Sequence, residues 1–275
     1  MSKKEERFLM ERDKTVVKAN ALIQKSRFSL TVQQQRVILY LISKIDYNDS
    51  DFKEYEFSLL EFMRVCGLER NGKGYKELKD CIKEIADKSL WITLDDGNRE
   101  TLLRWIEKPT IYNREGIIRI RLDNDMKPYL LQLKHNFTSY ELIYTLMMKS
   151  KYSIRLYELI KSIHYHELEE YKRQYAIEEL RILLDAEKYT EYRNFNQRVL
   201  KPAVEEINRY TDKIVSYEAI TRARKTVAIE FTIKSKDSLQ CARLRSEIDK
   251  ELGTDQLTLW DELLMKGYVS ENDGE

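Results

Sequence analysis

Asn194, Gln197, Arg198 and Lys201 fall on one side of a helix-forming stretch, Tyr189 to Thr211. At about 100° per residue they share that side with Glu205, so its first half is amide and basic and the acid comes later. Carboxamides and guanidinium groups can pair with the edges of bases or bond to phosphate oxygens, and a helix N-terminus favours negative charge nearby. Such a face suits a nucleic acid. Taken alone it reads as an ordinary solvated helix face, so the case depends on the elements around it.

Those elements follow from the apolar pattern. Phe195, Val199, Ala203 and Ile207 recur every four residues with Leu200 beside them, which defines a buried side. Pro202 inside this helix removes a backbone hydrogen bond, normally at a cost of about 3 kcal/mol, and should kink the helix or change its pitch. Upstream, Leu156, Leu159, Ile160 and Ile163 make a helix, Tyr175 to Ile177 a short strand and Glu178 to Leu184 a second helix. Downstream, Ile214 to Ile220 is β-rich, Thr221 to Lys225 reads TRARK, and Val227, Ile229, Phe231 and Ile233 alternate with Thr226, Ala228, Glu230 and Thr232 as a half-buried strand. The order is helix, strand, two helices, hairpin.

The same order occurs earlier in the chain. Met1 to Lys14 is polar, a flexible leader, and Thr15 to Ile23 is an edge strand or extended arm. Thr31 with Gln34 makes a capping box for a helix carrying Val37, Tyr40, Leu41 and Ile45. Tyr55 to Leu59 is a short strand, Ser58 to Cys66 a helix that Gly67 ends, and Tyr75, Leu78, Ile82 and Ile85 mark a third helix. Leu90, Ile92 and Leu94 then alternate, Asp96-Gly97 turns the chain, and Thr101 to Ile106 returns as the hairpin. Another hairpin is expected around Asn113 to Gly116. The segment Asp123 to Ser150 has a polar break from Lys134 to Ser139 and a helical run from Tyr140. Two copies of one order make a duplicated module the better explanation, and the order is that of a winged helix, whose third helix enters the major groove. The expected fold is α+β, two tandem winged-helix domains at 15–150 and 151–236, followed by an acidic tail at 237–275.

Charge agrees with that division. The chain of 275 residues carries 48 basic and 47 acidic residues, a formal +1. From Asp237 onward there are four basic and ten acidic residues, which leaves 44 and 37, or +7, on the first 236. Eight glycines and three prolines with 35% charged residues indicate helix-rich structure. The three cysteines, Cys66, Cys81 and Cys241, lack zinc-type spacing and read as reduced thiols of a cytoplasmic protein. No apolar run approaches the ~18 residues of a membrane span, and no cofactor or metal is expected.

The segments VVKANALI (Val16 to Ile23), LTVQQQRVILYLISKI (Leu30 to Ile45), YSIRLYELI (Tyr152 to Ile160) and RVLKPAVEEINRYTD (Arg198 to Asp212), with the strand Val227 to Ile233, resemble the Rep_3 superfamily of theta-type plasmid replication initiators. That resemblance implies two winged-helix domains, binding of direct repeats (iterons) at a plasmid origin, duplex opening, recruitment of host replication proteins, and a dimer that represses its own gene while the monomer binds the origin. It makes the third helix of the second domain the base reader, with Arg193, Asn194, Gln197, Arg198 and Lys201 as candidates, each good base contact worth about 1–3 kcal/mol of discrimination. Arg222, Arg224 and Lys225 become phosphate contacts on the wing. In the first domain Lys73, Lys76 and Lys83 are interleaved with acids and serve equally as a solvated face or a DNA contact. Family members have a proline where Pro202 stands, which reads either as shaping the helix for groove and core or as a tolerated bend.

Other features compete. His164-Tyr165-His166 has the form of the metal-holding string of rolling-circle nicking enzymes, which is the alternative enzymatic reading. On a helix, however, the two rings would point about 200° apart, and ordinary surface histidines explain them better. There is no phosphate-binding loop, HExxH or nucleophile elbow. A winged-helix transcription regulator without a replication role is the other alternative. The tail contains an amphipathic stretch, Leu239 to Leu252, and then Gln256, Leu257, Thr258, Leu259 and Trp260. This pentapeptide resembles a bacterial sliding-clamp-binding motif, with Trp260 where phenylalanine is common; it could equally be a short helix packed on the body.

Overall fold

The computed structural model describes residues 15–65, 71–94, 97–163 and 170–251. The first module opens with β1 (Thr15–Ala19), α1 (Asn20–Gln24) and the two-residue β2 (Ser26–Arg27). Helix α2 (Val32–Ile42) starts on the expected capping box: Gln34 N–H donates to Thr31 Oγ1 at 3.3 Å, and Thr31 N–H donates to Gln34 Oε1 at 3.0 Å. Val37 to Ile42 are all buried, so this helix lies in the core. β3 (Tyr55–Ser58) and α3 (Leu59–Val65) follow. Helix α4 (Gly72–Ala86) is capped by Asn71 Oδ1, 2.8 Å from Gly74 N, and buries Leu78, Cys81, Ile82 and Ile85.

Two hairpins come next, β4 (Ser89–Thr93) with β5 (Glu100–Arg104), and β6 (Thr110–Tyr112) with β7 (Ile117–Ile120). The sequence pointed to the first as the wing. In the structure β3 pairs instead with β7, from Tyr55↔Ile120 to Ser58↔Ile117, in the order β3-β7-β6. The second hairpin is therefore the wing of this module. β4 and β5 form a separate sheet with β2, an added hairpin between the third helix and the wing.

The helical run expected from Tyr140 is also corrected. After α5 (Lys127–Leu130), Gln132 and Asn136 turn the chain at positive φ, and β8 (Phe137–Glu141) pairs along the whole of β1. Thr138 and Tyr140 point inward in alternation, the period of a strand. Without β8, the backbone groups of β1 would lack partners. The short α6 (Ile143–Leu146) follows.

Helix α7 (Lys151–Lys161) is buried at every residue from Tyr152 to Ile160 and packs against α2, β8 and the second module. That module continues with β9 (Glu170–Ala176), α8 (Ile177–Leu183), α9 (Tyr192–Phe195), a π-helical turn (Asn196–Leu200), α10 (Lys201–Tyr210) and the long hairpin β10 (Lys213–Arg222) and β11 (Lys225–Ser235). Its sheet order, β10-β11-β9, repeats the β6-β7-β3 order of the first module. Helix α11 (Ser238–Glu251) then packs Leu244 and Ile248 inward and pairs Arg245 with Glu141 at 3.2 Å. One apolar core runs through both modules.

Candidate nucleic-acid interface

The angle between α8 and α9 is set by local chemistry. Asp185, at φ 54°, ends α8 in a Schellman arrangement: Ala186 N–H donates to Arg181 O at 2.8 Å and Asp185 N–H to Ile182 O at 3.1 Å. Arg181, itself buried, donates to Glu178 Oε1 at 2.6 Å and to Thr190 O at 2.5 Å, and its guanidinium lies 5.4 Å from the Phe195 ring. One side chain thus spans the turn between the two helices.

From that turn the helix runs continuously through α9, the π turn and α10. Phe195, Val199, Leu200, Ala203 and Ile207 are fully buried, while Arg193, Asn194, Gln197, Arg198 and Lys201 reach solvent. The change of pitch expected from Pro202 takes the form of the π turn. Lys201 N–H donates five residues back to Asn196 O, so one extra residue is absorbed immediately before the proline that cannot donate. Tyr217 on β10 donates its hydroxyl to Asn196 Oδ1 at 2.6 Å. At the other end, Asn208 and Val215 exchange two hydrogen bonds of 2.6 and 2.9 Å, which tie α10 to the wing.

The wing tip carries Arg222, Ala223, Arg224 and Lys225, all exposed. Among the described residues none of Arg193, Arg198, Lys201, Arg222, Arg224 or Lys225 has an ion-pair or hydrogen-bond partner for its side chain. The first module differs: exposed Lys73 lies 3.8 Å from Glu77 and Lys83 3.4 Å from Asp80, while Lys76 is exposed beside them. Its third helix therefore presents a field diluted by its own acids. Lys188, which the sequence pattern did not single out, is exposed in the turn leading into α9 with its ammonium 5.1 Å from the Tyr189 ring. Its place between α8 and α9 was the available signal.

Cys81 is buried and Cys241 half-exposed, both as free thiols. No group of metal-ligating side chains occurs among the described residues, and no described helix is long and apolar enough to cross a membrane. His164, His166 and Cys66, together with the tail motif Gln256, Leu257, Leu259 and Trp260, lie outside the described residues.

A buried helix-turn-helix under an unneutralised basic helix and wing, preceded by a second copy of the same topology, defines a tandem winged-helix DNA-binding protein. Comparison with known proteins narrows the class. Residues 15–161 match the family model described as "Initiator Replication protein, WH1", and residues 176–233 match "Initiator Rep protein, WH2". The chain belongs to this replication initiator family. It is 24% identical over 225 residues to a "Replication initiation protein" of Escherichia coli, covering 80% of this chain and 69% of that one. Among solved structures it is similar to the Pi initiator protein in complex with iteron DNA, with a TM-score of 0.69 and 19% identity over 82% of this chain and 99% of the other. It is more distantly similar to domains 2 and 3 of RctB, with a TM-score of 0.45, 13% identity, and coverage of 82% and 93%.

Proposed function

We propose that this chain initiates plasmid replication by binding iterons at the origin, opening the duplex and recruiting host replication proteins in the cytoplasm. The observation that carries this reading is the set of six cations on the reader helix and the wing tip that have no side-chain partner among the described residues. Arg193, Asn194, Gln197 and Arg198 read base edges. Lys201, Arg222, Arg224 and Lys225, with Lys188, hold phosphates. Lys73, Lys76 and Lys83 give weaker contacts from the first domain. We place the domains at 15–150 and 151–236, with α7 as the first helix of the second.

Anisotropy on a duplex carrying one origin repeat, against the same duplex scrambled, tests the assignment. Arg198→Ala should weaken repeat binding by about 1–3 kcal/mol and relax base preference. Replacing the three wing cations with alanine should weaken binding to both duplexes and reduce the log–log salt slope by about 0.9 for each phosphate no longer neutralised. If Arg198→Ala with Lys201→Ala leaves affinity and preference unchanged, the reader assignment is wrong.

We further assign to the first domain the contacts of an autorepressing dimer. Trp91 and Leu102, 48% and 49% exposed, sit directly opposite each other on β4 and the unpaired edge strand β5, the added hairpin. Residues Gln256 to Trp260 we assign to the host sliding clamp. Sedimentation of the full chain, alone and with the clamp, reads both assignments: a chain monomeric at every concentration removes the dimer, and no joint sedimentation removes the clamp contact.

A further inference from the structure

The π turn, Asn196–Leu200, carries two of the base-reading candidates, Gln197 and Arg198, beside the packed Val199 and Leu200. In an uninterrupted α-helix, Phe195 and Val204 would point about 180° apart, yet both are buried against one core. One extra residue in the turn brings them back to one side. It does so by rotating the half that carries Arg193, Asn194 and Gln197 relative to the half anchored by Ala203 and Ile207. Without the turn, the two halves would differ in register by about one residue, or about 100°.

Two features keep the turn open. Pro202 has no N–H to offer to the carbonyl of Arg198, so the α-helical ladder cannot run on unbroken through the residues next to the turn. The second is the hydrogen bond from the Tyr217 hydroxyl to Asn196 Oδ1, at 2.6 Å. Tyr217 is itself held on β10 against Phe231, with ring centroids 6.0 Å apart. Asn196 is the first residue of the turn, and its backbone oxygen accepts the five-residue bond from Lys201. The wing therefore grips the turn at the residue that defines it.

We propose that this π turn is a register device for base reading and that Tyr217 is a positioning residue for it. By holding Asn196, Tyr217 aims Gln197 and Arg198 at base edges without touching DNA itself. This rests on the reader-helix assignment above, and the test keeps the two apart.

Tyr217→Phe, Pro202→Ala and Arg198→Ala are compared with the wild-type full chain. Three quantities are read: the ratio of affinities for repeat and scrambled duplex, the salt slope, and the melting temperature. Tyr217→Phe removes one hydrogen bond and should lower the ratio about three- to tenfold, with the scrambled-duplex affinity and salt slope unchanged. Pro202→Ala restores the N–H that Arg198 O lacks, lets an unbroken α-helical ladder compete with the turn, and should lower the ratio while the melting temperature holds or rises; a purely structural proline gives no such combination. If Arg198→Ala collapses the ratio but Tyr217→Phe and Pro202→Ala keep it, the register device is overturned and the reader helix stands. Equal weakening on both duplexes by Tyr217→Phe also overturns it. A ratio unmoved by Arg198→Ala overturns the reader assignment itself.

Discussion

Ala223 and Arg224 close the β10–β11 hairpin with φ of 47° and 66°. A two-residue hairpin with both central residues at positive φ is a type I′ turn, the geometry that favours Asn-Gly. Left-handed backbone costs a residue with a Cβ roughly 1–2 kcal/mol, so the tip is less stable than it could be. The choice of arginine makes sense if the position is used: Arg224 sets a third cation beside Arg222 and Lys225 at the tip. Arg224→Gly should therefore raise stability by about 1 kcal/mol and also weaken binding to any duplex, with a shallower salt slope. Thermal melts and a binding series in salt read the two effects, and a variant that binds as well as wild type removes the tip from the interface. The cations of RARK were legible in the sequence. The backbone strain was not, because neither residue type signals positive φ.

Elements were legible where a local pattern demanded them. The buried stripe through Phe195, Val199, Ala203 and Ile207 and the alternation of Ile229, Phe231 and Ile233 in β11 follow from periods of 3.6 and 2, while Val227, expected inside, is exposed and Ala228 is buried in its place. Pairing was not legible. The residues of β8 carry the local pattern of a polar break and a helix because the partner β1 lies more than a hundred residues away, and nothing local tells which of two successive hairpins pairs with β3 as the wing. Asp212, between α10 and β10, shows how such distant elements are joined. It accepts a hydrogen bond from Tyr157 at 2.8 Å and pairs with Lys161, both on α7. Burial pushes its carboxyl pKa up, but Lys161, Lys213 and the Tyr157 hydroxyl outweigh burial and hold it below the usual carboxylate value. As pH falls, the unfolded chain takes up the proton first. The contribution is complete above about pH 4 and is lost as pH drops through the lower folded-state value. Asp212→Asn should cost about 1–3 kcal/mol at neutral pH and flatten the acid limb of a stability–pH curve. An acid limb as steep as that of wild type would show that the charge on Asp212 does not hold this corner.

At the scale of the whole molecule, the two modules meet around charges withdrawn from water. Lys18 on β1 donates to Glu158 on α7 at 2.6 Å, and Tyr140 on β8 donates to the same oxygen at 2.5 Å. One turn earlier on α7, Arg155 donates to Ser26 O at 2.9 Å and to Leu183 O at 3.0 Å, which joins β2 of the first module to α8 of the second. Burial pulls the pKa of Lys18 down against the attraction of Glu158, as expected of an ammonium that keeps its charge only through its partner. Nothing in the local sequence around Lys18, Tyr140, Arg155 or Glu158 reveals the network, because its members meet only when both modules are folded. Replacing a buried pair by apolar groups can be nearly neutral, but removing one partner strands the other, at about 3–5 kcal/mol. Glu158→Gln should therefore cost that much, a large share of the roughly 5–15 kcal/mol that holds a domain folded, and adding Lys18→Met should recover a good part of it. Both modules should unfold in one transition in urea, followed by tryptophan fluorescence for the first module, where Trp91 and Trp105 lie, and by hydrogen exchange in β10 and β11 for the second. Two separate transitions, or a Glu158→Gln chain as stable as wild type, would mean that the modules are tethered rather than coupled.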